Sequence, residues 1–119
     1  MATIQQSLDE LLALDGAMAS ALVDANSGMM LGQAGKGIDL ELAAAGNTEV
    51  VRAKLKTMKA LQLDEVIEDM LITLSKQYHI IRPLAKAEGV FLYYVLDKSR
   101  ANLALGRRKL QDVESTITI

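Results

Sequence analysis

The sequence has no cysteine or tryptophan, and only one phenylalanine, one proline and one histidine. The absence of cysteine excludes disulfides, thiolate metal sites and a cysteine nucleophile, and fits a reducing compartment. Aromatic residues make up 3% of the chain while hydrophobic residues make up half. The core must therefore be built from Leu, Ile, Val, Met and Ala, with helices approaching closely through the small ones. No sign of charge dominates: 13 basic against 15 acidic residues leave a formal net charge of −2. That balance argues against nucleic acid as the main partner, because phosphate binding is driven by a clustered positive field. No apolar run approaches the roughly 18 residues of a membrane span, and the first residues lack the basic-then-apolar pattern of a signal segment. A soluble, cytoplasmic protein is expected. At 119 residues the chain should form one domain over 1–119, burying roughly two-thirds of its unfolded surface.

Thr3 is placed to cap a first helix, with Gln6 closing a capping box and Ile4, Leu8, Leu11 and Leu12 at the spacing of one helical face. Asp15 and Gly16 stop it. Residues 17–23 and 29–33 read as two strands joined by the turn formers Asp24, Ala25, Asn26, Ser27 and Gly28. Asp39 is placed to cap a second helix running to about Leu61. Three strands follow, at 65–74, 77–82 and 89–96. The last is apolar without alternation, as a strand covered on both faces must be. Asp97 ends it. Ser99 can cap a final helix with the apolar stripe Leu103, Ala104, Leu110 and Val113, and Arg107, Arg108 and Lys109 read as cations near that helix's end, complementing its dipole. The expected fold class is α/β: α-β-β-α-β-β-β-α, a five-stranded antiparallel sheet between helices. The tail 115–119 alternates Thr and Ile, and is expected either to be disordered or to add as a strand to another surface.

The second helix carries two apolar stripes. Leu40, Ala44, Val51, Leu55 and Met58 form a face of large side chains, while Ala43, Gly46, Val50, Ala53 and Ala60 form a face of mostly small ones, displaced by about 100°. One sheet cannot cover both. The large stripe should pack on the sheet, leaving the small one to let another helix backbone approach to about 8 Å between axes. A two-fold mate is the economical candidate, since symmetric dimers are the commonest oligomers; another helix of the chain, or water, is the bland alternative. The third strand points the same way, because a mostly apolar strand at a sheet edge is a hazard unless paired or protected. If two copies ran antiparallel around Ile72, Met70, Ile72 and Leu74 would lie in the joint and Glu68 would face Lys76 of the mate. The expected dimer interface is thus Ala43, Gly46, Val50, Ala53, Glu68, Met70, Ile72, Leu74 and Lys76.

The hairpin ALVDANSGMMLG, the alanine-rich second helix and the segment VFLYYVLDKSRANLALGRRKL resemble the Roadblock / dynein light chain domain, particularly its bacterial single-domain members. The resemblance covers nearly the whole chain. Its most familiar part is the aspartate ending the last strand, Asp97, followed by Ala101, Asn102, Leu103 and Ala104. It implies a homodimer in which the third strands join two sheets and the second helices lie side by side. It further implies a non-catalytic adaptor or regulator, partnering Ras-like small GTPases in bacteria or serving larger motor and signalling assemblies in eukaryotes.

Catalytic signals are weak. His79 lies in a strand beside Tyr78, Ile80 and Ile81, with no Ser or Cys motif to activate, and reads as a strand histidine. The segment GMMLGQAGKG fails as a phosphate loop twice, at Met30 and at Gly37. Glu68 and Asp69 point to opposite faces of a strand and do not make joint ligands, so no metal and no cofactor is expected. Arg52, Lys54, Lys56 and Lys59 make the later half of the second helix basic. They suit solvation and a favourable dipole end, or an acidic partner surface. The expected function is a homodimeric regulator or scaffold binding a small GTPase or signalling protein. A small-molecule sensor and a structural light chain of a larger assembly are the alternatives.

Overall fold

The computed structural model describes residues 2–119. Eight elements follow one another: α1 (Ile4–Leu12), β1 (Ala17–Asp24), β2 (Met29–Gly35), α2 (Leu40–Ala60), β3 (Met70–Thr73), β4 (Gln77–Pro83), β5 (Val90–Asp97) and α3 (Leu103–Thr116). The strands form one antiparallel sheet in the order β2-β1-β5-β4-β3, so β2 and β3 are its edges. α1 and α3 cover one face. α2 lies on the other, across β1 and β2.

Local chemistry sets most boundaries. The Thr3 hydroxyl accepts from the Gln6 N–H at 3.1 Å and the Gln6 side chain accepts from the Thr3 N–H at 3.0 Å, closing the expected capping box. Gly16 follows α1 with φ +87°, and a Cβ there would lie 2.6 Å from the Ala101 backbone nitrogen, so glycine is required both by conformation and by space. Gly35 ends β2 under the same double constraint, its φ +88° and its missing Cβ facing the Met18 carbonyl. The central strands β1 and β5 are buried on both faces, as the unbroken apolar run of β5 anticipated; in β1 the buried Ser20 hydroxyl donates to the Leu8 carbonyl at 2.9 Å. On the α1/α3 side Leu8, Leu11, Leu22, Ile80, Leu92, Leu96, Leu110 and Val113 pack together. On the α2 side the core is Ala19, Ala21, Val23, Leu40, Ala44, Val51, Ile81, Phe91, Tyr93 and Val95. Small residues on β1 let α2 come close, as the scarcity of aromatics requires.

Five sequence expectations need correction. The third strand spans only Met70–Thr73 rather than 65–74. It ends in a tight turn, where the Leu74 N–H donates to the Gln77 carbonyl, and residues 65–69 join no ladder. The cap of α3 is Asn102, whose side chain accepts from the Leu105 N–H at 3.1 Å. Ser99 instead donates to the Asp97 carboxylate at 2.8 Å inside the preceding turn. Arg107, Arg108 and Lys109 lie mid-helix, because α3 runs on to Thr116, and each pairs sideways: Arg107 with Asp69, Arg108 with Asp112, Lys109 with Glu10. The inward stripe of α3 uses Gly106 with Leu110 and Val113, while Ala104 is exposed. Leu55 is the fifth: it lies between the buried Val51 and Met58 on the large stripe of α2 yet stays half exposed, because it faces an open groove.

At the end of α3, Ile117 is buried and bridges Ala2, and Thr118 donates to the Ala2 carbonyl at 2.8 Å. The inner part of the tail is thereby fastened beside the start of α1.

Candidate protein-interaction surface

The interaction surface is built on α2. Asp39 caps it by accepting from the Leu42 N–H at 3.2 Å, with Glu41 in the first turn and Lys59 in the last, each at the dipole end that favours its charge. Leu40, Ala44, Thr48, Val51 and Met58 are its buried residues, and the Thr48 hydroxyl satisfies itself on the Ala44 carbonyl at 2.8 Å. The small stripe turns outward. Ala43 is half-buried, Gly46, Val50 and Ala53 are exposed, and a Cβ on Gly46 would meet nothing within 4 Å. In a single chain, therefore, no element covers this stripe.

The edge strand β3 lies at the opposite side of the sheet from β2, over which α2 packs. It pairs with β4 alone, Met70 opposite Ile81 and Ile72 opposite His79. Met70 and Ile72 share the α2 side of the sheet, and Ile72 and Leu74 stay 37% and 43% exposed. A single chain thus leaves two surfaces unsatisfied, an apolar strand with one free edge and a helix with an uncovered small-residue face. Glu68 lies before the strand and Lys76 in the turn after it, so both fall outside the β3 ladder. The structure brings Met70 and Ile72 together with the sheet face under α2, but not Glu68 and Lys76 into one strand.

His79 occupies this half of the sheet. Tyr93 donates its hydroxyl to Nδ1 at 2.9 Å, and Nε2–H donates to Gln77 Oε1 at 2.8 Å. A neutral ring protonated at Nε2 satisfies both bonds. Burial lowers the His79 pKa and holds that neutral form, and the Tyr93 ring meets it edge-on at 5.6 Å. Burial also raises the Tyr93 phenol, with the Asn47 side chain opposing. Both nitrogens of His79 are engaged.

Of the basic residues on α2, Arg52 bonds Glu49 at 3.2 Å and donates to the Asn26 carbonyl at 2.9 Å, tying the helix to the β1–β2 turn. Lys54, Lys56 and Lys59 are exposed and form no ion pair among the described residues. Beyond Val51 the helix rises over an open groove of about 700 Å³, walled by Leu55, Val66, Ile67, Pro83 and Phe91. Sequence reasoning missed this groove, because its walls come from four separated segments. The described residues hold no group of three or more His, Asp or Glu able to bind a metal, and no helix long and apolar enough to cross a membrane.

These features define a protein of the Roadblock/LC7 fold. The structure superposes on MglB of Myxococcus xanthus with a TM-score of 0.82 at 22% identity, covering 94% of this chain and 89% of that one. A Roadblock/LC7 domain from Streptomyces avermitilis also gives 0.82, at 9% identity, over 97% and 94% of the two chains. An MglB with a tetrameric arrangement gives 0.78 at 19% identity, over 92% and 80%. Neither a family model nor a curated protein sequence matches the chain.

Proposed function

We propose that this chain is a non-catalytic, homodimeric regulator or adaptor that binds a Ras-like small GTPase in the cytoplasm, with 1–119 acting as one domain. The observation that carries the reading is the uncovered stripe Ala43, Gly46, Val50 and Ala53 together with the unpaired apolar edge β3, both on a Roadblock fold. A two-fold mate satisfies both at once. It lays small side chains against small side chains, allowing close helix contact, and pairs the free β3 edges so that two five-stranded sheets become one. The tetrameric arrangement reported for MglB belongs to that protein, and supports self-association here. Glu68 and Lys76 would meet across such a joint only if β3 lengthened on pairing.

Lys54, Lys56 and Lys59 offer a basic flank for an acidic partner surface, and Arg52 could join them only by giving up its bond to Glu49. His79 is neutral and held at both nitrogens, which suits a structural role. Any effect on nucleotide turnover would come from ordering the GTPase's own switch segments. The test is calorimetric titration of Ras-like GTPases from the source organism, loaded with GDP or with a non-hydrolysable GTP analogue. Binding to one nucleotide state at two chains per GTPase, weakened by Lys54→Glu and Lys59→Glu, is the expected result. Absence of binding in both states would overturn the GTPase reading.

A further inference from the structure

We propose that the groove between the second half of α2 and the β4–β5 end of the sheet is a docking site for an extended, basic and apolar segment of a partner protein. The groove opens on the Val51 and Leu55 side of α2 instead of the small-residue stripe, shares Glu68 with the expected dimer joint, and does not rest on the GTPase reading. Its volume of about 700 Å³ lies within the roughly 300–1,000 Å³ of ordinary binding pockets.

Three observations specify the occupant. First, Val51, Leu55, Val66, Ile67 and Phe91 line the groove with apolar surface, and Val66 is 85% exposed, a large residue left in water by its own chain. Second, the free charge of the groove is negative. Glu65, Glu68 and Glu88 line it without an ion-pair partner among the described residues. Its arginines are already engaged, Arg82 with Glu114 at 2.6 Å and Arg52 with Glu49 and the Asn26 carbonyl. An acidic occupant would meet only repulsion, whereas a lysine or arginine beside apolar side chains would match both rim and floor. Third, the wall contributed by residues 64–69 is irregular chain whose backbone groups make no backbone hydrogen bond among the described residues. A neighbouring extended segment can pair with such a wall through its own main chain.

The wall is also held in place. Arg107 donates to both carboxylate oxygens of Asp69, at 2.9 and 3.3 Å, fixing the end of the 64–69 segment to α3. Glu114 accepts from Arg82 and from the Ala85 N–H at 2.9 Å, fixing the opposite wall to the same helix. Two anchors on α3 therefore hold the groove open, which lowers the ordering cost of binding.

The test uses the isotope-labelled full chain, titrated with a short synthetic peptide alternating leucine and lysine, and with the same peptide carrying glutamate in place of lysine. The expected result is amide shifts concentrated at Leu55, Val66, Ala85 and Gly89 with the lysine peptide and none with the glutamate peptide. Glu65→Lys with Glu88→Lys should weaken binding about tenfold, and Val66→Asp should weaken it comparably. All three positions are exposed, and unchanged amide shifts outside the groove verify the fold of each variant. Shifts elsewhere, equal binding of both peptides, or indifference to charge reversal would overturn the proposal. So would groove signals that change with protein concentration instead of peptide concentration, since a second copy of the chain would then occupy the site.

Discussion

Among the described residues, His79 is the titratable group whose environment ties protonation near neutral pH to the fold. Burial lowers its pKa from the ordinary 6.5, so below about pH 6.5 the unfolded chain takes up a proton that the folded chain resists. Its contribution is intact above that pH and is lost as pH falls toward the lowered folded value. Protonation would also put a second N–H against the Tyr93 hydroxyl. Urea midpoints should therefore fall between pH 7.5 and 5.5, and His79→Phe should flatten most of that slope; an identical slope in the variant would contradict this assignment. Gly16 offers a test without titration. Gly16→Ala forces a side chain into left-handed backbone and against Ala101, at a cost of about 1–3 kcal/mol in chemical denaturation.

Among the elements, the C-terminal helix distinguishes two residues that sequence alone leaves equivalent. Asn102→Ala removes the bond to the Leu105 N–H and should cost about 1 kcal/mol in urea unfolding. Ser99→Ala should cost less, because it removes only a solvent-exposed bond to Asp97. Both residues are competent caps. What decides between them is the turn after β5, in which the Arg100 and Ala101 N–H groups donate to the Asp97 carbonyl and consume Ser99 before the helix begins. β3 teaches a similar lesson. The apolar content of 65–74 was legible, but the tight turn before β4 ends the ladder after Thr73, and β4 stops at Pro83, whose ring has no N–H to extend it past Met70. By contrast the α1 capping box, the Asp39 cap and the fully buried β5 were legible, because each rests on neighbours within a few residues or on an unbroken apolar run. The split of α2 into an inward and an outward stripe was legible for the same reason, apart from Leu55, which lies between buried Val51 and Met58 but faces the open groove.

At the scale of the molecule, α3 acts as the clasp. It pairs Glu114 with Arg82, Arg107 with Asp69 and Lys109 with Glu10, reaching β4, the segment before β3, and α1. Glu114 and Arg82 are the most buried of these partners, so Glu114→Ala, which leaves the arginine unpaired, should cost about 2–3 kcal/mol in thermal unfolding. Glu10→Ala, at a more exposed pair, should cost well under 1 kcal/mol. The groove was not legible beforehand, because Glu65, Glu68 and Glu88 carry no shared local pattern and meet only through the fold. The outward stripe and the free β3 edge matter more, since each is a surface that a single chain leaves unsatisfied. The most direct measurement is light scattering over a concentration series, on the parent chain and on Gly46→Arg, whose new side chain enters open space in one chain but a close contact in two. The parent is expected at twice the chain mass throughout, and the variant at the chain mass with its fold intact. A parent that stays at the chain mass, or a variant that remains dimeric, would contradict it.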